Sequence, residues 1–110
     1  MATATYKVLG QSAPSATTET DLYTVPAATE TIVSTITVAN RSASDATFRI
    51  SVSVNGAATA TKDYIIYDAT CGGNGLQAFT MGFTMDATDK IRIYASTADL
   101  SFNLFGSEIA

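Results

Sequence analysis

The chain has 110 residues, of which 46% are hydrophobic and 15% charged, with a net charge of −4 and no histidine. A chain of this length buries enough surface for one core, so the sequence predicts a single domain over residues 1–110. The acidic balance excludes a basic surface for nucleic acid or anionic lipid, and no stretch approaches 20 apolar residues. Neither nucleic acid nor a membrane is therefore an expected partner.

Short alternating runs separated by turn residues fill the chain, and no helix-length run of apolar residues at spacing three and four occurs. Enrichment in Val, Ile, Thr, Tyr and Phe predicts an all-β, antiparallel β-sandwich that is jelly-roll-like. Residues 1–5 can form an extended arm at its start. About eight strands are predicted, at residues 5–10, 21–25, 30–39, 46–54, 63–68, 76–85, 90–96 and 100–106.

Alternation within three of these strands predicts the core. Successive strand side chains point to opposite faces, so an apolar set at spacing two marks the buried face. Strands 46–54, 90–96 and 100–106 each carry one such set opposite polar residues. The predicted core residues are Phe48, Ile50, Val52, Val54, Ile91, Ile93, Ala95, Leu100, Phe102 and Leu104.

Two strands do not follow this simple pattern. Strand 30–39 is apolar on both faces, which predicts a central strand covered on both sides or covered by a neighbouring subunit. Strand 76–85 carries an apolar face and a smooth face that another backbone can approach closely. We expect subunits to pack against each other at these two strands. The residues concerned are Ile32, Val33, Ile36, Val38 and Ala39 in the first strand, and in the second Phe79, Met81, Phe83 and Met85 opposite Ala78, Thr80, Gly82 and Thr84.

The sequence offers few groups for catalysis. The absence of histidine removes the commonest general base and zinc ligand. Asp86 and Asp89 are close enough to bind Ca²⁺ or to act as an acid–base pair, but they span a turn, where aspartate typically caps backbone groups. Asp63 and Asp68 are interpreted in the same way, as strand-end residues. We assign no catalytic, cofactor-binding or metal-binding residue, and the chain is not expected to be an enzyme.

Cys71 is the single cysteine, which excludes an intrachain disulfide. It is interpreted as an inert small hydrophobe, with a reactive thiol as the alternative. The run Gly72–Gly75 lacks the lysine and following helix of a phosphate loop and predicts a turn. The basic residues are scattered singly and are interpreted as surface charges; they are Lys7, Lys62, Lys90, Arg41, Arg49 and Arg92.

The tyrosines are the other candidates for ligand binding. A group of tyrosines on a β-sandwich can stack against sugar rings. Their alternation with aliphatic residues fits rim and interface positions equally well. Both interpretations stay open for Tyr6, Tyr23, Tyr64, Tyr67 and Tyr94.

Three segments carry a resemblance to a known group of proteins. Residues 20–54, TDLYTVPAATETIVSTITVANRSASDATFRISVSV, resemble a recurring segment of small virion proteins of tailed double-stranded DNA bacteriophages, in which a Leu-Tyr-Thr-Val-Pro-Ala strand end leads into a long β-branched strand. The opening YKVLGQSAPSATT and the closing STADLSFNLFGSEI are similar to the ends of the same proteins, including those of phages of cyanobacteria and marine bacteria.

The resemblance implies a β-sandwich subunit of a virus particle, made in the host cytoplasm and located in the virion. The expected function is that of a capsid decoration (cement) protein, which stabilises the phage head by binding the outer capsid lattice. Its expected partners are the major capsid protein and further copies of itself, as a homotrimer. The alternative is a tail-associated or receptor-facing virion module that binds glycan.

Overall fold

A computed structural model describes residues 2–110 as two antiparallel sheets packed face to face, which confirms the predicted all-β sandwich. One sheet has five strands, in the order β1-β9-β3-β6 with β7 also paired to β3, and the other has four, in the order β2-β8-β4-β5. These orders are those of the two sheets of a jelly roll. The strands are β1 (Ala4–Ser12), β2 (Thr20–Thr24), β3 (Glu30–Asn40), β4 (Ala46–Ser53), β5 (Tyr64–Cys71), β6 (Leu76–Phe79), β7 (Phe83–Met85), β8 (Lys90–Ala95) and β9 (Leu100–Ile109).

The predicted strand 76–85 is in fact two strands, which raises the number of strands to nine in the described part of the chain. The backbone leaves the sheet between Phe79 and Phe83, where Gly82 has a φ of 57°. A left-handed residue breaks the extended conformation that a ladder needs. Met81, predicted on the apolar face, lies in this break and is 43% exposed.

The core lies between the two sheets and follows the predicted alternation closely. Phe48 and Phe102 are fully buried, and their rings meet edge to face with centroids 6.2 Å apart. Val52 is only partly buried, although it packs against the core. Val54 is 65% exposed, because β4 ends at Ser53 and Val54 begins a 3₁₀ turn, Val54–Gly56. The core residues that the alternation predicted correctly are Ile50, Ile91, Ile93, Ala95, Leu100 and Leu104, together with the two phenylalanines.

The two apolar faces of β3 have a different cause from the one predicted. The register against β9 shifts between Val33 and Thr35, so Ser34 is an extra residue in the strand. Such a bulge reverses the alternation, and Val33 before it and Ile36 after it both point into the core. The prediction that β3 is covered on both sides within the fold is therefore wrong. Ile32 points outward and is 44% exposed.

The start of the chain pairs with its end. β1 lies beside β9, and the backbones of Thr3 and Ala110 exchange two hydrogen bonds, of 2.7 and 3.1 Å. Residues 4 and 5 thus belong to a sheet, contrary to the predicted arm over residues 1–5; residue 1 of that arm lies outside the described residues. Leu9 is an extra residue in β1, since the register shifts between Val8 and Gly10. Among residues 2–110, no helix is long and apolar enough to cross a membrane.

Candidate functional site

The outer face of the five-stranded sheet is almost free of charge. Directly opposed residues of antiparallel strands share a face, so the register identifies the side chains that point away from the core. Glu30, at one end of β3, is the only charged residue among them in the described chain. We name this surface the neutral face; its residues are Ala4, Tyr6, Val8 and Gln11 of β1, Ser101, Asn103, Phe105, Ser107 and Ile109 of β9, Glu30, Ile32, Thr35, Thr37 and Ala39 of β3, Leu76 and Ala78 of β6, and Thr84 of β7.

The neutral face brings together the two segments at which the sequence predicts subunit packing. Ala78 of the predicted smooth face lies opposite Thr37 of β3, and Thr84 lies opposite Ile32. The loop between β6 and β7 stays attached to this surface, where the Thr80 and Thr35 hydroxyls lie 3.4 Å apart. Both segments therefore contribute to one continuous surface.

A groove of about 700 Å³ crosses one end of the neutral face, between β1, β9 and β3. Tyr6 is 85% exposed at its margin, and Val8 is 47% exposed. Gly106 forms part of the floor, where a Cβ would lie 2.2 Å from the carbonyl oxygen of Ile32. Contiguous exposed apolar side chains of this kind mark binding surfaces on soluble proteins.

The floor of the groove also holds a buried hydroxyl without a partner. Ser107 is 7% exposed, and its Oγ makes no hydrogen bond within residues 2–110. A buried polar group without a partner within the protein is uncommon in native proteins. The groove therefore combines exposed apolar side chains with one hydroxyl that is free to form a hydrogen bond.

The outer face of the four-stranded sheet has the opposite character. Asp21 accepts hydrogen bonds from Lys90 at 2.7 Å and from Arg92 at 2.9 Å. The bond from Lys90 is the main cause of a lowered pKa for the Asp21 carboxyl group. On the same face, Arg49 and Asp68 form a second ion pair at 2.7 Å. Charge is therefore concentrated on the outer face of the four-stranded sheet and nearly absent from the outer face of the other sheet.

Arg92 holds the segment between β4 and β5 against this charged sheet. Its guanidinium donates to the Gly56 carbonyl at 3.1 Å, to the Ala57 carbonyl at 2.6 Å and to the Thr59 hydroxyl at 3.1 Å. The side chain is only 13% exposed. The sequence analysis interprets Arg92 as an isolated surface charge. The alternation of residues in β8 does not indicate that the loop after β4 folds over this side chain.

Three of the five tyrosines come together on the charged face. The Tyr64 and Tyr67 rings meet edge to face with centroids 4.9 Å apart. The Arg49 guanidinium lies 4.4 Å from the Tyr67 ring centroid and 4.3 Å from that of Tyr94. A depression of about 340 Å³ is lined by Thr61 and the first two tyrosines. The cluster has an exposed aromatic ring, since Tyr67 is 58% exposed.

Tyr23, also a candidate for sugar stacking, instead links the two sheets through the core. It extends from β2, is 8% exposed, and its hydroxyl lies 2.8 Å from the Thr31 hydroxyl. It also donates to Glu108 Oε2 at 2.5 Å, while Lys7 donates to Glu108 Oε1 at 2.8 Å. Burial, and then the bond to Glu108, raises the pKa of Tyr23 to about 12. Tyr6 lies apart on the neutral face, so no single five-tyrosine platform forms.

Asp86 and Asp89 cap the turn between β7 and β8, as their turn interpretation predicts. The Asp89 carboxylate accepts the backbone N–H of Asn55 and that of Asp86, both at 2.9 Å. Asp86 accepts the adjacent Ala87 N–H at 2.8 Å. Among the described residues, no group of three or more aspartate, glutamate, histidine or cysteine side chains is arranged to hold a metal ion.

The other two aspartates differ from each other. Asp63 accepts the Ala60 N–H at 2.8 Å, and this bond is the main cause of a lowered pKa for its carboxyl group. It precedes β5 and is the predicted strand-end residue. Asp68 is not, because β5 continues to Cys71 and Asp68 lies within it, with a φ of 51°. Its left-handed backbone allows its carboxylate to reach Arg49.

Cys71 is fully buried, and its thiol contacts the carbonyl oxygens of Val38 and Gly75, both at 3.7 Å. Burial raises the pKa of the thiol, which disfavours the reactive thiolate. The run Gly72–Gly75 closes a turn through a 2.9 Å bond from the Gly75 N–H to the Gly72 carbonyl. The structure agrees with an inert cysteine followed by a turn.

Comparison of the chain with models of protein families finds no match, and comparison with curated proteins finds none either. The neutral face can bind a second protein surface by shape and apolar contact, and the tyrosine–arginine cluster can stack against a planar or ring-shaped ligand.

Proposed function

We propose that this chain is a structural protein of a phage virion, namely a capsid decoration (cement) protein that binds the outer capsid lattice through its neutral face. The neutral face is the observation that carries the proposal. The resemblance of residues 20–54 to small virion proteins supports the virion location. The proposal requires no catalytic group.

The chemistry of the neutral face suits attachment to a protein lattice. Charged residues are rare at the centres of protein interfaces, because burying an unpaired charge costs several kcal/mol. Thr37 lies within the surface, between Asn103 of β9 and Ala78 of β6, and Glu30 lies at one end. A lattice protein can cover these side chains without removing an ion from water.

The size of the surface is also adequate. The neutral face is four strands wide, about 19 Å at 4.8 Å per strand, and extends along the 11 residues of β3, about 36 Å at 3.3 Å per residue. These dimensions give about 700 Å², close to the roughly 800 Å² that each partner contributes to a standard interface. One subunit therefore contributes a modest free energy, and many copies bound to one shell stabilise it together.

Adding charge to the neutral face tests the proposal. Particles that lack the protein are incubated with the wild-type chain, with Thr37→Glu or with the matched control Thr70→Glu. Thr70 is an exposed residue of β5, in the other sheet. We expect Thr37→Glu to reduce the bound copies at least about tenfold, because it buries an unpaired carboxylate, and Thr70→Glu to bind normally. Equal binding by the two variants would count against the neutral face.

Quantitative mass spectrometry of purified particles tests the location. A decoration protein should be present within about threefold of the major capsid protein, and particles without it should release DNA at a lower temperature. A few to a few tens of copies per particle would instead assign the chain to the tail.

The tyrosine–arginine cluster favours a second candidate function, glycan binding by a tail-associated protein. Aromatic rings exposed beside a depression are a common way to bind sugar rings. Binding to a glycan array that Tyr67→Ala abolishes and Tyr6→Ala leaves unchanged would support this function. A decoration protein without a glycan ligand would give no signal with any of the three chains.

A further inference from the structure

Three of the four sheet edges are irregular in a way that prevents strand pairing. β2 has five residues and a register shift between Asp21 and Tyr23. β5 shifts register twice against β4 and contains the left-handed Asp68. The edge formed by β6 and β7 is broken at Gly82. Bulges, breaks and short lengths are the means by which proteins keep edges from pairing with other chains.

The fourth edge, β1, has no such irregularity from Ala4 to Val8. Its later half approaches β2, where Gly10 is so close that a Cβ would lie 2.4 Å from the Leu22 carbonyl oxygen. The earlier half has no strand beside it in the described chain, and residues 4 to 8 are all exposed. Tyr6, at its centre, is 85% exposed.

The pairing of β1 with β9 shows which backbone groups of this half are free. Thr3 and Ala110 exchange both of their hydrogen bonds, so they form a hydrogen-bonded pair. Hydrogen-bonded and non-hydrogen-bonded pairs alternate along an antiparallel ladder. Ala4, Tyr6 and Val8 therefore direct their N–H and C=O groups away from β9, toward the free edge.

We propose that two copies of this chain pair antiparallel through these free edges, with Tyr6 of one copy opposite Tyr6 of the other. This register alone pairs all three outward residues, since Ala4 then lies opposite Val8 of the second copy. Six backbone hydrogen bonds close the ladder. Pairing of this kind is self-complementary, because each strand donates and accepts the same set of bonds.

The side chains are compatible with this register. Lys7 lies opposite Thr5 of the second copy, so like charges do not face each other, and Lys7 keeps its bond to Glu108. The two Tyr6 rings lie side by side on the neutral face, where cross-strand aromatic pairs stabilise a sheet. The charges and the aromatic pair thus both permit a second copy as the occupant.

The dimer would join two neutral faces into one surface. The two-fold axis runs perpendicular to the sheet, because opposed residues share a face. The joined sheet has eight strands, in the order β6-β3-β9-β1 in one copy and β1-β9-β3-β6 in the second, and is about 38 Å wide at 4.8 Å per strand. This contact closes at two copies, so the homotrimer expected from the sequence would need a different surface. The pairing does not depend on the virion role.

Cysteine cross-linking tests the register. Cα atoms of a hydrogen-bonded pair are about 5.5 Å apart, within the range of a disulfide. Tyr6→Cys should therefore form a covalent dimer under mild oxidation at least about tenfold faster than Ala4→Cys, because the Cα atoms of the two Ala4 residues lie about 14 Å apart. A mixture of Ala4→Cys and Val8→Cys should form the mixed dimer. Cys71 is buried and does not compete. Equal rates for Tyr6→Cys and Ala4→Cys would overturn the proposal.

A second experiment removes one backbone donor. Tyr6→Pro and Tyr6→Ala both lack the aromatic ring, but only the proline lacks the outward N–H, which the β9 ladder does not use. The paired edge is short, so we expect a weak dimer, measured by sedimentation equilibrium from about 1 to 500 µM. Tyr6→Pro should weaken it at least about tenfold relative to Tyr6→Ala while the melting temperature stays close. A wild-type chain that is monomeric throughout this range would refute the pairing.

Discussion

Removing the Tyr23 hydroxyl should show how much its hydrogen bonds contribute to the free energy of unfolding, because the packing of the ring is kept. Tyr23→Phe keeps the ring but removes the donor to Glu108 and the contact with Thr31. Thr31 is fully buried, so its hydroxyl would lose a partner out of reach of water. Lys7 would remain on Glu108.

The two hydrogen bonds of the hydroxyl give the magnitude at neutral pH. A hydrogen bond to a charged group contributes about 1.5–3 kcal/mol and a neutral one about 0.5–1.5 kcal/mol. We therefore expect Tyr23→Phe to lower the free energy of unfolding by about 3 kcal/mol at pH 7. The rise in the Tyr23 pKa from 10.0 to about 12, caused first by burial, sets a different quantity, namely the pH range over which this stabilisation is lost.

The pH dependence gives the effect a signature. Because the folded pKa of Tyr23 lies above its ordinary value, the hydroxyl stabilises the fold fully below pH 10 and loses this effect as the pH rises toward 12. The pKa of Glu108 is lowered, first by the bond from Lys7 and then by that from Tyr23. Its stabilising contribution is therefore present above pH 4.5 and is lost as the pH falls through the lowered pKa.

Urea unfolding of the wild type and Tyr23→Phe at about pH 3, 7 and 11 measures this signature, with unfolding slopes compared to verify that the folded states are alike. The difference in unfolding free energy should be largest near neutral pH and shrink at both extremes. Tyr94→Phe is the matched control, because its hydroxyl makes no hydrogen bond in the described chain, and we expect a change within about 0.5 kcal/mol. A Tyr23→Phe difference that is the same at all three pH values would refute the role of the hydroxyl.

Three further outcomes follow from the fold. Phe102→Ala should cost about 3–5 kcal/mol by leaving a cavity, whereas Phe105→Ala, half-buried on the neutral face, should cost clearly less; equal losses in urea unfolding would contradict the assignment of faces. Asp89→Asn should cost about 1–3 kcal/mol because an amide accepts at only one oxygen, while Asp86→Asn should cost little, and a Ca²⁺-dependent melting temperature abolished by Asp86→Asn would disprove the turn-capping role. Arg92→Gln should speed proteolysis of residues 54–63 at unchanged core stability, and an unaltered cleavage rate would show that the loop is held by other contacts.

Alternation predicted the inner faces of β8 and β9 because both strands are regular there. It failed at β3, where the extra residue Ser34 reverses the alternation and makes a one-sided strand look two-sided. A bulge at serine has no distinctive sequence pattern, because any small polar residue can occupy it. Gly82 could have revealed the break between β6 and β7, since glycine inside a strand pattern often marks an irregularity.

The candidate surfaces were harder to predict than the fold. The sequence indicated strands 30–39 and 76–85 as contact regions, and the structure places parts of both on one face. The contribution of β1 was not predictable, because its position beside β9 depends on pairing across the length of the chain. The same holds for Tyr23, whose partner Glu108 is 85 residues away. Alternation reports which residues are buried within a strand but not which distant strands lie beside it.

The position of β9 has a consequence for the order in which the molecule forms. β9 leaves the ribosome after all the other strands, yet it lies between β1 and β3, and both need it as a hydrogen-bonding partner. A nascent chain that has emerged only as far as β8 can form the four-stranded sheet and can pair β3 with β6 and β7, but its neutral face is incomplete and β1 has no partner. Until β9 joins the sheet, the edges of β1 and β3 are unpaired and the core lacks Leu100, Phe102 and Leu104, so unfinished chains are expected to associate more readily than the completed fold.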